Sequence, residues 1–120
     1  MAAPNVVNVT SIFGETKTQA ATTGSVTLLE NAGSSNKLYK VNTVIAANTD
    51  TATNYWVTLT YNDGATTVSI ANQIVVPAKA SLIIIDKSSS LYMEEGHTIA
   101  VLAENADIQL TISYEIIDHA

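Results

Sequence analysis

The chain of 120 residues has no cysteine, so neither a disulfide nor a thiolate zinc site is open to it. A Cys-free chain suits reducing and oxidising surroundings equally, and the compartment is left undecided by this alone. Arginine is missing too, and the five lysines (Lys17, Lys37, Lys40, Lys79 and Lys87) do not cluster. Neutralising phosphates takes a basic stripe in which arginine is the best donor, so with a formal net charge of −6 no nucleic-acid partner is expected. No run approaches the roughly 18 uninterrupted apolar residues of a membrane span, and no membrane partner is expected. Met1-Ala2-Ala3-Pro4-Asn5 lacks the basic and hydrophobic segments of a secretory signal. Charge itself is scarce: 13% of residues are charged against 47% apolar, enough to build one core and too little charge for a self-repelling disordered chain. The exterior must then be covered largely by Thr, Ser, Asn and Ala, a neutral skin suited to close packing against other surfaces.

What is present points to β structure. Val, Ile and Thr are abundant, no stretch keeps apolar residues at helical spacing, and short runs with period-two alternation are separated by Gly, Asn, Asp and Ser. This pattern predicts an all-β fold, a single antiparallel β-sandwich, immunoglobulin-like or jelly-roll-like. The clearest unit runs from Tyr55 to Ala71, where Tyr55, Val57, Leu59 and Tyr61 alternate with Trp56, Thr58 and Thr60 ahead of Asn62-Asp63-Gly64. A two-residue loop at Asp63-Gly64 would set Leu59 opposite Val68, Val57 opposite Ile70 and Thr60 opposite Thr67. In the last strand Ile108, Leu110, Ile112, Tyr114 and Ile116 share one face, the core side, and Gln109, Thr111, Ser113 and Glu115 the other. Leu82 to Ile85 is continuously apolar, as in a strand buried on both faces or covered by a neighbouring chain, and Pro77 marks a strand boundary ahead of it. Further strands are expected at Asn5 to Ile12, Ser25 to Glu30, Leu38 to Ala47, Ile74 to Val76, Ser90 to Glu94 and Thr98 to Ala103. Phe13 to Gly24, poor in large apolar residues, reads as a loop or arm. The expected organisation is thus an N-terminal strand and arm over 1–24, ordered by assembly, and a sandwich domain over 25–120.

Chemistry-bearing motifs are weak. Only His97 and His119 could serve as a base; His119 is penultimate and His97 follows Gly96 in a turn, so no catalytic residue is assigned. Glu94 and Glu95 are strand or turn neighbours that point apart, and Asp50, Asp63, Asp86 and Asp107 begin no calcium-loop pattern, which leaves no metal site. The triplet Asn8-Val9-Thr10 fits a glycosylation sequon but carries no weight without a secretory signal, and the five glycines form no phosphate- or dinucleotide-binding motif. No cofactor is expected. Trp56 reads either as a second core face packed under the opposite sheet or a loop, or as an anchor in a protein or glycan contact. Ile12 and Phe13, large apolar residues where strand gives way to arm, are the other interface candidates.

Three stretches carry a resemblance: Ile74-Val75-Val76-Pro77-Ala78-Lys79-Ala80-Ser81-Leu82-Ile83-Ile84-Ile85-Asp86-Lys87, then Leu91-Tyr92-Met93-Glu94-Glu95-Gly96-His97-Thr98-Ile99, then Ile112-Ser113-Tyr114-Glu115. Together with Lys40-Val41-Asn42-Thr43 and Tyr61-Asn62-Asp63-Gly64 they span about two-thirds of the chain, from Lys40 to Glu115, and leave the N-terminal arm uncovered. In these the chain resembles small β-sandwich virion proteins of tailed bacteriophages, and in composition those of phages of marine cyanobacteria. His97 stands where the turn of that group often carries Asp. The resemblance implies a non-enzymatic structural part of a virion: a capsid decoration or cement protein on the major capsid protein first, a tail, collar or baseplate part second. It implies lattice-bound copies or a homo-oligomer, made in the host cytoplasm and located in the virion. The rivals are a carbohydrate-binding or adhesin module with Trp56 and the tyrosines as platform, and a small hydrolase, which the missing catalytic constellation disfavours.

Overall fold

A computed structural model of the protein describes residues 11–118. Most of the expected Asn5 to Ile12 strand, the Asn8 sequon and His119 lie outside the described residues. Nine strands follow in order: β1 Ser11–Ala20, β2 Val26–Glu30, β3 Lys37–Asn48, β4 Tyr55–Asn62, β5 Thr67–Val76, β6 Ser81–Ile85, β7 Leu91–Met93, β8 Thr98–Ala103 and β9 Ile108–Asp118, with a one-turn 3₁₀ helix, Lys87–Ser89, between β6 and β7.

The strands form two antiparallel sheets. One has the order β1-β9-β3-β6, with β7 also on β3; the other runs β2-β8-β4-β5. First pairs with last, second with second-last, β3 with β6 and β7, and β4 with β5. That nesting is one long antiparallel ribbon folded over itself, the jelly-roll form of the sandwich. It differs from the immunoglobulin arrangement, in which the first two strands share a sheet.

The core forms where the alternating faces meet. Leu110, Ile112 and Ile108 of β9 lie against Val41, Val44 and Ala46 of β3 within one sheet, and Val57, Leu59, Ile99 and Val101 enclose them from the other. The inward face of β9 is the one its alternation predicts. Two asparagines are buried in this apolar frame, and both are fully bonded. Asn31 donates from Nδ2 to the carbonyls of Lys37 and Met93, each at 2.9 Å, and accepts from the Ser35 hydroxyl at 2.6 Å. Asn48 donates to the carbonyls of Thr53 and Val76, each at 2.9 Å, and accepts from the Asp50 N–H. Asn31, just past β2, is thus tied to β3 and β7 of the other sheet, and Asn48, at the end of β3, to β5 and to the loop that follows β3, with each amide's donors and acceptor used.

Three expectations are corrected. Phe13 to Gly24 is not an irregular arm throughout: up to Ala20 it is strand β1, paired residue for residue with β9 from Ser11↔Asp118 to Ala20↔Gln109. Backbone pairing with a strong neighbour supplies what its own side chains do not, since nine of its ten residues are exposed. The β4–β5 turn has four residues, not two. Asp63 Oδ1 accepts from the N–H groups of Ala65 and Thr66, the Asp63 N–H donates to the Thr66 carbonyl, and Gly64 takes the positive φ of 94°. The register moves accordingly, with Tyr61 opposite Val68, Thr60 opposite Ser69, Leu59 opposite Ala71 and Val57 opposite Ile74. Lastly, of the two readings of Leu82 to Ile85, burial on both faces within the chain is overturned, which leaves cover by a neighbouring chain. Among the described residues β6 pairs only with β3, and Ile83 is 59% exposed while Ile85 is buried.

Acid should loosen the loops first. Backbone N–H groups of Ala52 and Thr53 hold the Asp50 carboxyl below its usual value of 3.8; those of Thr66 and Ala65 do the same for Asp63, and the Ser88 hydroxyl and N–H for Asp86. A carboxylate whose pKa is lower folded than unfolded stabilises the fold above the unfolded value and loses that contribution as pH falls through the folded one. The melting temperature is therefore expected to hold down to about pH 4 and to drop below it. In Asp63→Asn, which keeps Oδ1 as an acceptor, the drop should shrink; a melting temperature flat into strong acid would remove the assignment.

Candidate interaction surfaces

No cluster of three or more His, Asp or Glu side chains suited to a metal occurs among the described residues. His97 is held in an aromatic pair: its ring stands edge-on to Tyr61 at 5.4 Å, with Nδ1 2.5 Å from the Tyr61 hydroxyl, which also donates to the Tyr92 carbonyl. Burial, with Glu94 and Asp63 nearby, pushes the Tyr61 phenol up to about 12. Glu94 and Glu95 diverge, the second accepting from the Asn36 N–H at 3.1 Å. These contacts close a turn and aim no side chain at a cavity.

The open surfaces are the outer faces of the two sheets and the free edges. Register across β1, β9 and β3 places the outer side chains of the first sheet in rows. Ile12, Ile117 and Leu38 make an apolar row of which Ile12 is exposed and the other two are buried, and Gly14, Glu115 and Lys40 follow. Next come the hydroxyl row Thr16, Ser113 and Thr43, then Thr18, Thr111 and Ile45, which continues to Ile83, and last Ala20, Gln109 and Ala47. Small side chains keep the middle of this face low, and Thr16 and Ser113 join their hydroxyls at 3.2 Å. A shallow groove of about 350 Å³ lies on it, lined by Gly14, Thr16, Asn42, Lys87, Ser113 and Glu115.

The predicted contact residues fall in two places. Ile12 and Phe13, 55% and 44% exposed, are neighbours on β1 and point to opposite sides of it, against Ile117 and Ile116. Trp56 lies on the other sheet, directly across from Val75, while its neighbour Val57 faces the core. It is half-buried on the outward face and not packed under the opposite sheet, because β4 alternates and its core side is taken by Val57 and Leu59. Val75 across from it is exposed, and on its other side the Trp56 N–H donates to the Glu104 carboxylate at 3.2 Å. Sequence reasoning missed Val75 and Tyr92 as exposed apolar positions; strand alternation alone does not say which strands are edges.

Exposed aromatics do not gather. Phe13 is on β1 and Tyr92 on β7, while Tyr39 and Tyr114 stack on one another at 5.5 Å along the inner side of the first sheet. The Tyr114 hydroxyl donates to Glu15 at 2.7 Å, and burial, with this bond and the Glu15 charge behind it, raises its pKa well above the usual phenol value.

No protein-family model matches the chain, and no curated protein sequence matches it. Solved structures do resemble it. A protein of Bacillus endospore appendages, described as disulfide-linked pili, is 16% identical and matches over 92% of this chain and 88% of that one, with a TM-score of 0.53. A pentameric capsid protein from metagenomic phage sequences is 24% identical with a TM-score of 0.47; the match covers 86% of this chain and 62% of that one, under two-thirds of its length. The Drosophila NLP-core is 14% identical over 92% of this chain and 98% of that one, with a TM-score of 0.46. The chain shares its sandwich fold with the pilus protein.

Proposed function

We propose that the chain is a non-enzymatic structural subunit of a phage particle, seated on the head surface as a decoration or cement protein. The observation that carries this reading is the outer face of the β1-β9-β3-β6 sheet: rows of Thr, Ser, Gly and Ala with Ile12 and Ile83 exposed at its margins and little net charge, Glu115 lying beside Lys40. Such a face costs little to dehydrate and accepts another flat surface over a wide area, and many modest contacts of that kind add across a lattice. A sugar platform needs aromatic rings side by side, which the scattered Phe13, Tyr92 and Trp56 do not provide. A place in the tail, collar or baseplate is the second reading, supported by the same surface.

The test is sedimentation of the purified protein with heads and, separately, tails of its phage. High-copy binding to heads supports decoration, binding to tails alone moves the protein there, and binding to neither overturns the reading. In the same assay a chain lacking residues 1–20 is expected to fold and bind poorly, since β1 is exposed while Ala21 is fully buried. Circular dichroism beside the binding measurement checks this: normal binding by the folded truncation places the interface elsewhere, and a truncation that unfolds makes β1 part of the fold's own support.

A further inference from the structure

Among the described residues the two sheets have four edges, and three of them are blunted. β2 has five residues and a register shift between Thr27 and Leu29. β5 is broken by two register shifts, with Gln73 at a positive φ of 52°. The edge opposite β1 in its own sheet is divided between β6, of five residues, and β7, of three. Short strands and bulges are how proteins keep an edge from recruiting another chain. β1 has none of this: ten residues, no proline, no bulge, every residue in register with β9, and no strand on its other side among the described residues.

We propose that the free edge of β1 pairs antiparallel with β1 of a second copy, joining two β1-β9-β3-β6 sheets into one. The charges on the strand select that partner. A lone Lys17 would guard the edge against any strand, but Glu15 stands two residues away on the same side. Antiparallel pairing centred on Thr16 puts Glu15 opposite the second copy's Lys17, and Lys17 opposite its Glu15, with Thr16 facing itself across the two-fold axis. Gly14 then meets Thr18, Phe13 meets Gln19 and Ile12 meets Ala20, so no like charges oppose and each apolar residue meets a small or neutral one. Shifting the register by two residues in either direction sets one of these charges against its own copy, Glu15 on Glu15 or Lys17 on Lys17. A two-fold pairing of this kind is self-complementary by construction.

The chain has no cysteine of its own, which makes crosslinking decisive. In this register the Thr16 Cα atoms sit about 4.5–5.5 Å apart, within disulfide reach. The two copies of Thr18 are four residues out of step, about 13 Å along the strand. Thr16→Cys is expected to form a covalent dimer under mild oxidation and Thr18→Cys to remain monomeric. Lys17→Glu, which sets Glu15 against a second acid, should abolish the dimer of the Thr16→Cys background while the melting temperature stays near that of its parent. Failure of Thr16→Cys to crosslink, equal crosslinking at both positions, or indifference to Lys17→Glu would each overturn the pairing. The inference rests on the edge and not on the particle reading: a protein that crosslinks as described yet never sediments with heads or tails keeps the first and loses the second.

Discussion

Leu110→Ala is expected to destabilise the domain by about 2–5 kcal/mol, and Ile112→Ala by a similar amount. β9 is an interior strand of the five-stranded sheet, flanked by β1 and β3, and its inward residues belong to the core. Leu110 is 1% exposed and Ile112 fully buried, opposite Ala46 and Val44 of β3. Ala46 cannot grow to fill a void beside it, and Val44 is held by its own packing, so most of the lost volume stays as a cavity. Chemical denaturation of both variants beside Thr111→Ala measures the effect. Thr111 lies between the two on the outer face, and its loss should cost well under either. Losses below about 1 kcal/mol for Leu110 and Ile112 would mean the core does not close on this face of β9.

Asn31→Ala is expected to cost about 2–4 kcal/mol, because the buried carbonyl of Met93 and the partly buried one of Lys37 lose their amide donor. One amide nitrogen serves the carbonyls of Lys37 and Met93, which belong to β3 and β7, while the backbone of Asn31 itself accepts from Gly96 and donates to His97. The residue thus joins the end of β2 to three other segments. Asn31→Asp separates shape from bonding: the carboxylate fits the same space but offers no donor to either carbonyl and brings a charge into a fully buried position. It should be at least as damaging as Asn31→Ala. A melting temperature unchanged in both variants would show that the loop, and not the amide, holds these strands.

The strand content and the inward face of β9 were legible because a half-buried strand writes its burial into its alternation. Leu110, Ile112 and Tyr114 are apolar at every second position whatever the sheet they join. The turn at Asp63 was legible as a turn but not in length: Asp63 can serve a two-residue or a four-residue loop, and only the bonds to Ala65 and Thr66 choose. The same limit hid β1. Glu15, Thr16, Lys17 and Thr18 bury almost nothing, so no hydrophobic pattern marks them, and their order comes from β9's backbone, about a hundred residues away in sequence. Asn31 and Asn48 gave no sign of being buried, because an asparagine in a loop reads the same whether it faces water or closes a core. By itself the sequence determined the class of the fold, the inward face of its central strand and the low charge of its surface, all of which are properties of single segments or of composition. Tertiary structure decided the jelly-roll order over the immunoglobulin one, and it decided which apolar side chains are left outside and which edge is left open. Those depend on pairings between distant strands, whose partners local alternation does not encode.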